Sequence, residues 1–164
     1  MNSRSAPSLA AGMLVAAVGL AQAQTATGEM GVSAEVARTC TLSAEPLAFG
    51  TLSVTEVTNG SALVTLECNG VSTVTTILVG MGANADPPTT QRNLAAGIDD
   101  RVPYTLHELE AGGADIATDG AVTLVQVGTT NTYTATLYGK IQPSPAYPMG
   151  TYADTVILTA NYAP

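Results

Sequence analysis

The sequence predicts an all-β fold, an antiparallel sandwich or barrel, over everything beyond residue 23. Three observations predict it. Apolar and polar residues alternate in run after run, the period of a strand with one buried face. Pairs of Gly, Asn, Asp and Pro separate those runs at short spacing. Thr and Val, which suit a half-buried pleat, are abundant, and no window past residue 23 carries a helical period.

The first run, residues 29–36, puts Met30, Val32, Ala34 and Val36 on one face and Glu29, Gly31, Ser33 and Glu35 on the other. No turn signal joins it to a partner, and Gly28 and Gly31 keep it supple. Such a strand has to pair elsewhere, in its own domain or in another molecule. Cys40 and Leu42 continue a strand after it. In residues 63–68, Val64, Leu66 and Cys68 share a face. Residues 74–79 are nearly continuous β-former, the pattern of a central strand. Residues 82–100 are polar, contain Pro87-Pro88 and lack alternation, which predicts a long loop. Val102, Tyr104 and Leu106 are in phase. So are Tyr133, Ala135, Leu137 and Ile141, with Gly139 marking a bulge or a close backbone approach. The last run, residues 154–162, aligns Val156, Leu158, Ala160 and Tyr162, and the sequence stops two residues later. Turn signals fall at Asn59-Gly60, Asn69-Gly70, Gly112-Gly113, Asp119-Gly120 and Met149-Gly150.

The N-terminus predicts export. Arg4 supplies a positive start, residues 9–20 are apolar and uncharged, and Ala21-Gln22-Ala23 carries small residues at the two positions a signal peptidase reads. Cleavage is expected between Ala23 and Gln24, giving a signal peptide over 1–23. The apolar run is too short for a spanning helix, and no later stretch is long enough, so no membrane insertion is expected. What remains is 141 residues with four basic and thirteen acidic side chains, a net −9. That is one domain with room for a core. So acidic a chain is poorly suited to nucleic acid or an anionic membrane. An even pair of cysteines in an exported protein, Cys40 and Cys68, reads as a disulfide. Neither Cys-x-x-Cys spacing nor a nearby His points to redox or metal chemistry.

Catalysis is poorly supported. His107, the only histidine, points away from the face of Tyr104 and Leu106 and reads as an exposed strand residue; no Gly-x-Ser-x-Gly elbow accompanies it. Asp99-Asp100, and Glu108 with Glu110, would serve acid–base work only if brought together, and no Trp offers a sugar platform, so they read as solvated loop acids. Asp115 and Asp119 lack the spacing of an EF-hand. Gly80-Met81-Gly82 has no Lys and no following helix, which makes it a strand end rather than a phosphate cradle. No enzyme activity, cofactor or metal is expected. Phe49, the only Phe, reads as core, Gly50 as the bend after it, and Tyr152 and Asp154 as hydrogen-bonding residues of a loop corner.

Taken in order, several pieces resemble a known family. They are Cys40 with Leu47-Ala48-Phe49-Gly50, then Val64-Thr65-Leu66-Glu67-Cys68, Gly80-Met81-Gly82, Arg92 and Tyr104-Thr105-Leu106. After these come Leu137-Tyr138-Gly139-Lys140-Ile141 and Gly150-Thr151-Tyr152-Ala153-Asp154-Thr155-Val156, closing on Tyr162. Together they resemble the spore coat protein U domain of archaic chaperone–usher pilus subunits. Where that family often has a Trp-Gly turn, this chain has Gly112-Gly113-Ala114-Asp115.

The resemblance implies an immunoglobulin-like antiparallel sandwich lacking its last strand. Residues 24–37 would be a donor-strand arm and 38–164 the domain. A periplasmic chaperone would lend a strand first, and the arm of the next subunit would replace it at an outer-membrane usher. Met30, Val32, Ala34 and Val36 would then fill the groove beside Val156, Leu158, Ala160 and Tyr162. The implied product is a head-to-tail fibre, secreted through the periplasm to the cell surface and serving adhesion or biofilm formation. The alternatives are a structural coat protein without an usher and a surface adhesin module.

Overall fold

The computed structural model describes residues 24–70, 76–86, 90–97, 99–110 and 112–162. The expected signal peptide, with Ala23 at its cleavage point, and the Pro87-Pro88 pair lie outside the described residues. The chain divides into two units, Met1–Glu35 and Val36–Pro164. In the first, residues 24–35 form neither strand nor helix, and Met30 and Val32 are 84% and 82% exposed. The alternating run is thus an unpaired segment in this structure.

The second unit is all β, with no helix among the described residues. Its strands are β1 (Cys40–Ala44), β2 (Thr58–Cys68), β3 (Thr76–Val79), β4 (Arg92–Ala95), β5 (Arg101–His107), β6 (Gly120–Thr123), β7 (Val125–Gln126), β8 (Thr132–Ile141) and β9 (Leu158–Ala160). All pairings are antiparallel. One sheet runs β1-β2-β8-β5-β4, with β7 also on β8; the other runs β6-β3-β9. Alternation explains the core. Val64 and Leu66 of β2, Leu106 of β5 and Leu137 and Ile141 of β8 meet Ile77 and Val79 of β3 and Val122 of β6 in one buried cluster. β3 lies centrally in its sheet, as its continuous β-formers predict, and β8 occupies the residues expected of it.

Four expectations are corrected. The loop expected over 82–100 contains β4, paired to β5 from Arg92↔Tyr104 to Ala95↔Arg101. Alternation missed it because its buried residues are polar: Arg92 and Asn93 are 3% and 2% exposed. The Asn59-Gly60 turn signal lies inside β2. There Gly60 faces Gly139 across the ladder. A Cβ on Gly60 would come within 2.9 Å of Leu47 Cδ2, and one on Gly139 within 2.6 Å of Phe49 Cζ. The two glycines make a notch for the Leu47–Phe49 segment, which is the close approach expected at Gly139. The last run is a strand only over Leu158–Ala160, and β6 and β7 were not foreseen.

The fourth correction concerns His107, which is 7% exposed rather than solvent-facing. It does project from the face opposite Leu106, but the segment after β5 folds over it. Its Nδ1 lies 3.0 Å from Ala114 O and its Nε2 2.8 Å from Thr105 Oγ1. A carbonyl only accepts, so Nδ1 carries the proton and Nε2 accepts from the threonine. Both nitrogens are occupied, and the residue is structural.

Candidate functional site

The first sheet ends on β1 and β4 and the second on β6 and β9. Among the described residues, β1 pairs only with β2 and β9 only with β3. Unpaired edges of this kind are templates for another strand. Between them lies an apolar cleft of about 290 Å³. Ala44 and Glu45 border it on the β1 side, Val156 and Leu158 on the β9 side, and Val64 and Leu106 line it from the core. On β1, on β9 and just before β9, Leu42, Val156, Leu158 and Ala160 are only half-buried although they pack on the core. A wider cleft of about 780 Å³ adjoins it between residues 47–54 and 147–154, sharing Leu47, Phe49, Leu94 and Asp154.

A polar latch stands where the two clefts meet. Tyr104 Oη donates to Asp154 Oδ2 at 2.7 Å, while Asp154 Oδ1 accepts from the backbone and side-chain nitrogens of Asn84, each at 3.0 Å. Phe49 packs edge-on against the Tyr104 ring, centroids 6.0 Å apart. Burial first, and the bond to Asp154 second, hold the Tyr104 hydroxyl far above the usual tyrosine range. It therefore remains a donor. Tyr152 bonds separately to Pro148 O at 2.6 Å, so the expected loop corner is built from two independent bonds.

The latch predicts a pH dependence. Tyr104→Phe leaves Asp154 Oδ2 without its donor and should cost about 1–2 kcal/mol at neutral pH. Because the folded-state pKa is raised, the unfolded chain loses this proton at lower pH than the folded one. The contribution is whole below about pH 10, the unfolded value, and falls as pH rises beyond it, by about 1.4 kcal/mol per unit. Urea unfolding from pH 8 to 11 should show a shallower alkaline decline in the variant. An unchanged slope would show that Tyr104 ionises freely.

The structure distributes the other expected site residues as follows. Cys40 and Cys68 are bonded, Sγ–Sγ 2.08 Å, and are direct partners in the β1–β2 register. Of the expected groove residues, Val156 and Leu158 line the cleft, Ala160 is half-buried on the core, and Tyr162 lies beyond β9, 40% exposed. Of the expected donor residues, Val36 is 92% exposed, like Met30 and Val32. Asp115 is used structurally, its Oδ1 accepting from Leu106 N at 3.1 Å. No cluster of three metal-ligating side chains occurs among the described residues, and no helix there is long and apolar enough to cross a membrane.

Sequence reasoning gave Arg92 no role beyond its place in a motif. Its guanidinium reaches from β4 across to the second sheet. Nε donates to Gly80 O at 3.0 Å, and Nη2 lies 2.9 Å from Gly80 O and 3.2 Å from both Val79 O and Ala117 O. Nη1 donates to Ile116 O. The one signal was scarcity: only four basic residues follow residue 23.

The model of the Spore Coat Protein U domain matches residues 26–159. Among solved structures, the chain is similar to the tip adhesion subunit in the CsuC–CsuE chaperone–tip adhesion subunit pre-assembly complex, from archaic chaperone–usher Csu pili of Acinetobacter baumannii. Identity is 20% and the TM-score 0.57, over 76% of this chain. The match covers 40% of that chain, so this one spans well under half of its relative, and the likeness is one of fold. A search of curated proteins finds no match.

Proposed function

This chain belongs to the Spore Coat Protein U domain family, and from that premise we propose that it is a structural subunit of an extracellular pilus fibre, assembled by donor-strand exchange. The observation that carries this reading is the apolar cleft between the edge strands β1 and β9. In the same chain lies an unpaired segment of strand-like alternation. We read the two sheets as an immunoglobulin-like sandwich whose final strand comes from outside.

The proposed occupant is residues 24–36 of a second copy. Backbone bonds along the β1 and β9 edges would supply affinity, and alternate side chains would select the groove. Burying Met30, Val32 and Val36 contributes up to about 5–9 kcal/mol by transfer arithmetic, with Ala34 adding less. One arm and one groove per copy make a head-to-tail contact that does not close, which generates a filament. Removal of residues 1–23 would free the arm during export. A periplasmic chaperone would be the first occupant of the groove, as the pairing of chaperone and tip subunit in the similar structure suggests. An outer-membrane usher would catalyse the exchange, placing the fibre at the cell surface for adhesion or biofilm formation.

Deleting residues 24–36 from the exported chain should abolish the detergent-resistant ladder on unboiled gels while leaving the domain folded by circular dichroism. A folded variant with the same ladder as the intact chain overturns the reading.

A further inference from the structure

The chain just before β1 is held by one residue. Asn69, the first residue after β2, donates its backbone N–H to Thr39 O at 3.0 Å. Its side-chain Oδ1 accepts from Thr39 N at 2.9 Å, and its Nδ2 donates to Ala37 O at 3.3 Å. Thr39 N can only donate and Ala37 O can only accept, so one orientation of the amide satisfies both. With an acceptor and a donor on one carbon, the side chain stands in for the next peptide of the ladder. It carries the β1–β2 pairing past Cys40–Cys68 as far as Ala37. The disulfide, one residue further on, fixes the strands from which the clamp is built.

That clamp bears on a choice the arm has to make. The arm is tethered to its own domain, and the short route into that domain's groove is a hairpin onto the free edge of β1. Such a hairpin reverses the chain within two to five residues, the tightest forms needing positive φ. The only residues placed to make that turn are Ala37, Arg38 and Thr39. None of them has positive φ, and reversing there would strip Ala37 and Thr39 from Asn69.

We propose that Asn69 is a positioning residue that keeps the root of the arm paired to β2 and so commits the arm to a second copy of this chain rather than to its own groove. The inference rests on the donor-strand reading. It concerns which copy receives the arm, not whether the arm is a donor.

The test compares the exported chain with Asn69→Ala and Asn69→Asp. Ladder formation is followed at equal concentration, and amide hydrogen exchange over residues 28–36 is measured in dilute monomer. Losing two hydrogen bonds that hold the root should raise the self-closed monomer population about tenfold in Asn69→Ala. Its arm amides should become protected independently of concentration, and its ladder should slow in proportion. Asn69→Asp keeps the acceptor for Thr39 N and loses the donor to Ala37 O, so it should fall between. A merely structural Asn69 would lower the unfolding midpoint without protecting the arm. That result, or a wild-type ladder rate with exposed arm amides in Asn69→Ala, overturns the proposal. Failure of the donor-strand reading looks different: the chain lacking residues 24–36 would then assemble as the intact chain does, and the Asn69 proposal would fall with it.

Discussion

Replacing Arg92 by Ala should destabilise the domain by about 3–4 kcal/mol, a large share of the 5–15 kcal/mol that holds a typical domain folded. The guanidinium is 3% exposed and is surrounded by four backbone carbonyls from two separate stretches, residues 79–80 and 116–117. Its contact with Asp115 is long, 3.8 Å, and that carboxylate is half-exposed, so the ion pair contributes little. The stabilisation comes from charge-assisted bonds to carbonyls. Val79 O and Ala117 O keep the N–H groups of Asp119 and Gly120, but Gly80 O and Ile116 O lose the arginine donors in a site too enclosed to hydrate freely. Arg92→Lys should recover only part of the loss, because one compact ammonium cannot span both stretches as a planar fork does. Urea midpoints of the two variants measure this. A loss below about 1 kcal/mol for Arg92→Ala would mean that water replaces the guanidinium without cost.

Removing the disulfide by the double change Cys40→Ser and Cys68→Ser should cost about 3–4 kcal/mol. The bridge closes a loop with a sequence separation of 28, and the chain-entropy model assigns about that much to a loop of this length. The unfolded state without the bridge is more expanded, so the dependence of stability on denaturant should steepen as the midpoint falls. The bridge also ties the five-residue edge strand β1 to β2 at its first pair. Amide exchange should therefore accelerate most in β1, on one wall of the proposed groove. Guanidinium unfolding with hydrogen exchange measures both effects. A loss under about 1 kcal/mol, with β1 still protected, would place the closure of that edge in the ladder rather than in the bridge.

Much of the fold was legible because one-sided burial writes itself into alternation. Tyr133, Leu137 and Ile141 mark β8, Val64 and Leu66 mark β2, and Val102, Tyr104 and Leu106 mark β5. The disulfide was legible from cysteine count and expected compartment. β4 was not, because a buried arginine and asparagine imitate a loop in any hydropathy pattern. Nor was Gly60, because a glycine that admits Leu47 looks the same in sequence as one that makes a turn. His107 was misjudged for a related reason. Alternation gives the face of a strand, and only the segment folded over that face decides whether it meets water.

By itself, the sequence determined that this protein is an all-β chain with a strand-like segment ahead of its cysteines, one pair of cysteines expected to bond and a motif order shared with a pilus-subunit family. These are properties of local period, composition and order. Only the tertiary structure decided which strands are edges, that an apolar cleft lies between β1 and β9, that Arg92 joins the two sheets and that Asn69 grips the chain just before β1. The physical reason is common to all four. Pairing, and the satisfaction of buried or edge polar groups, is settled between residues tens of positions apart, and no local pattern records which distant carbonyl or edge a residue will meet.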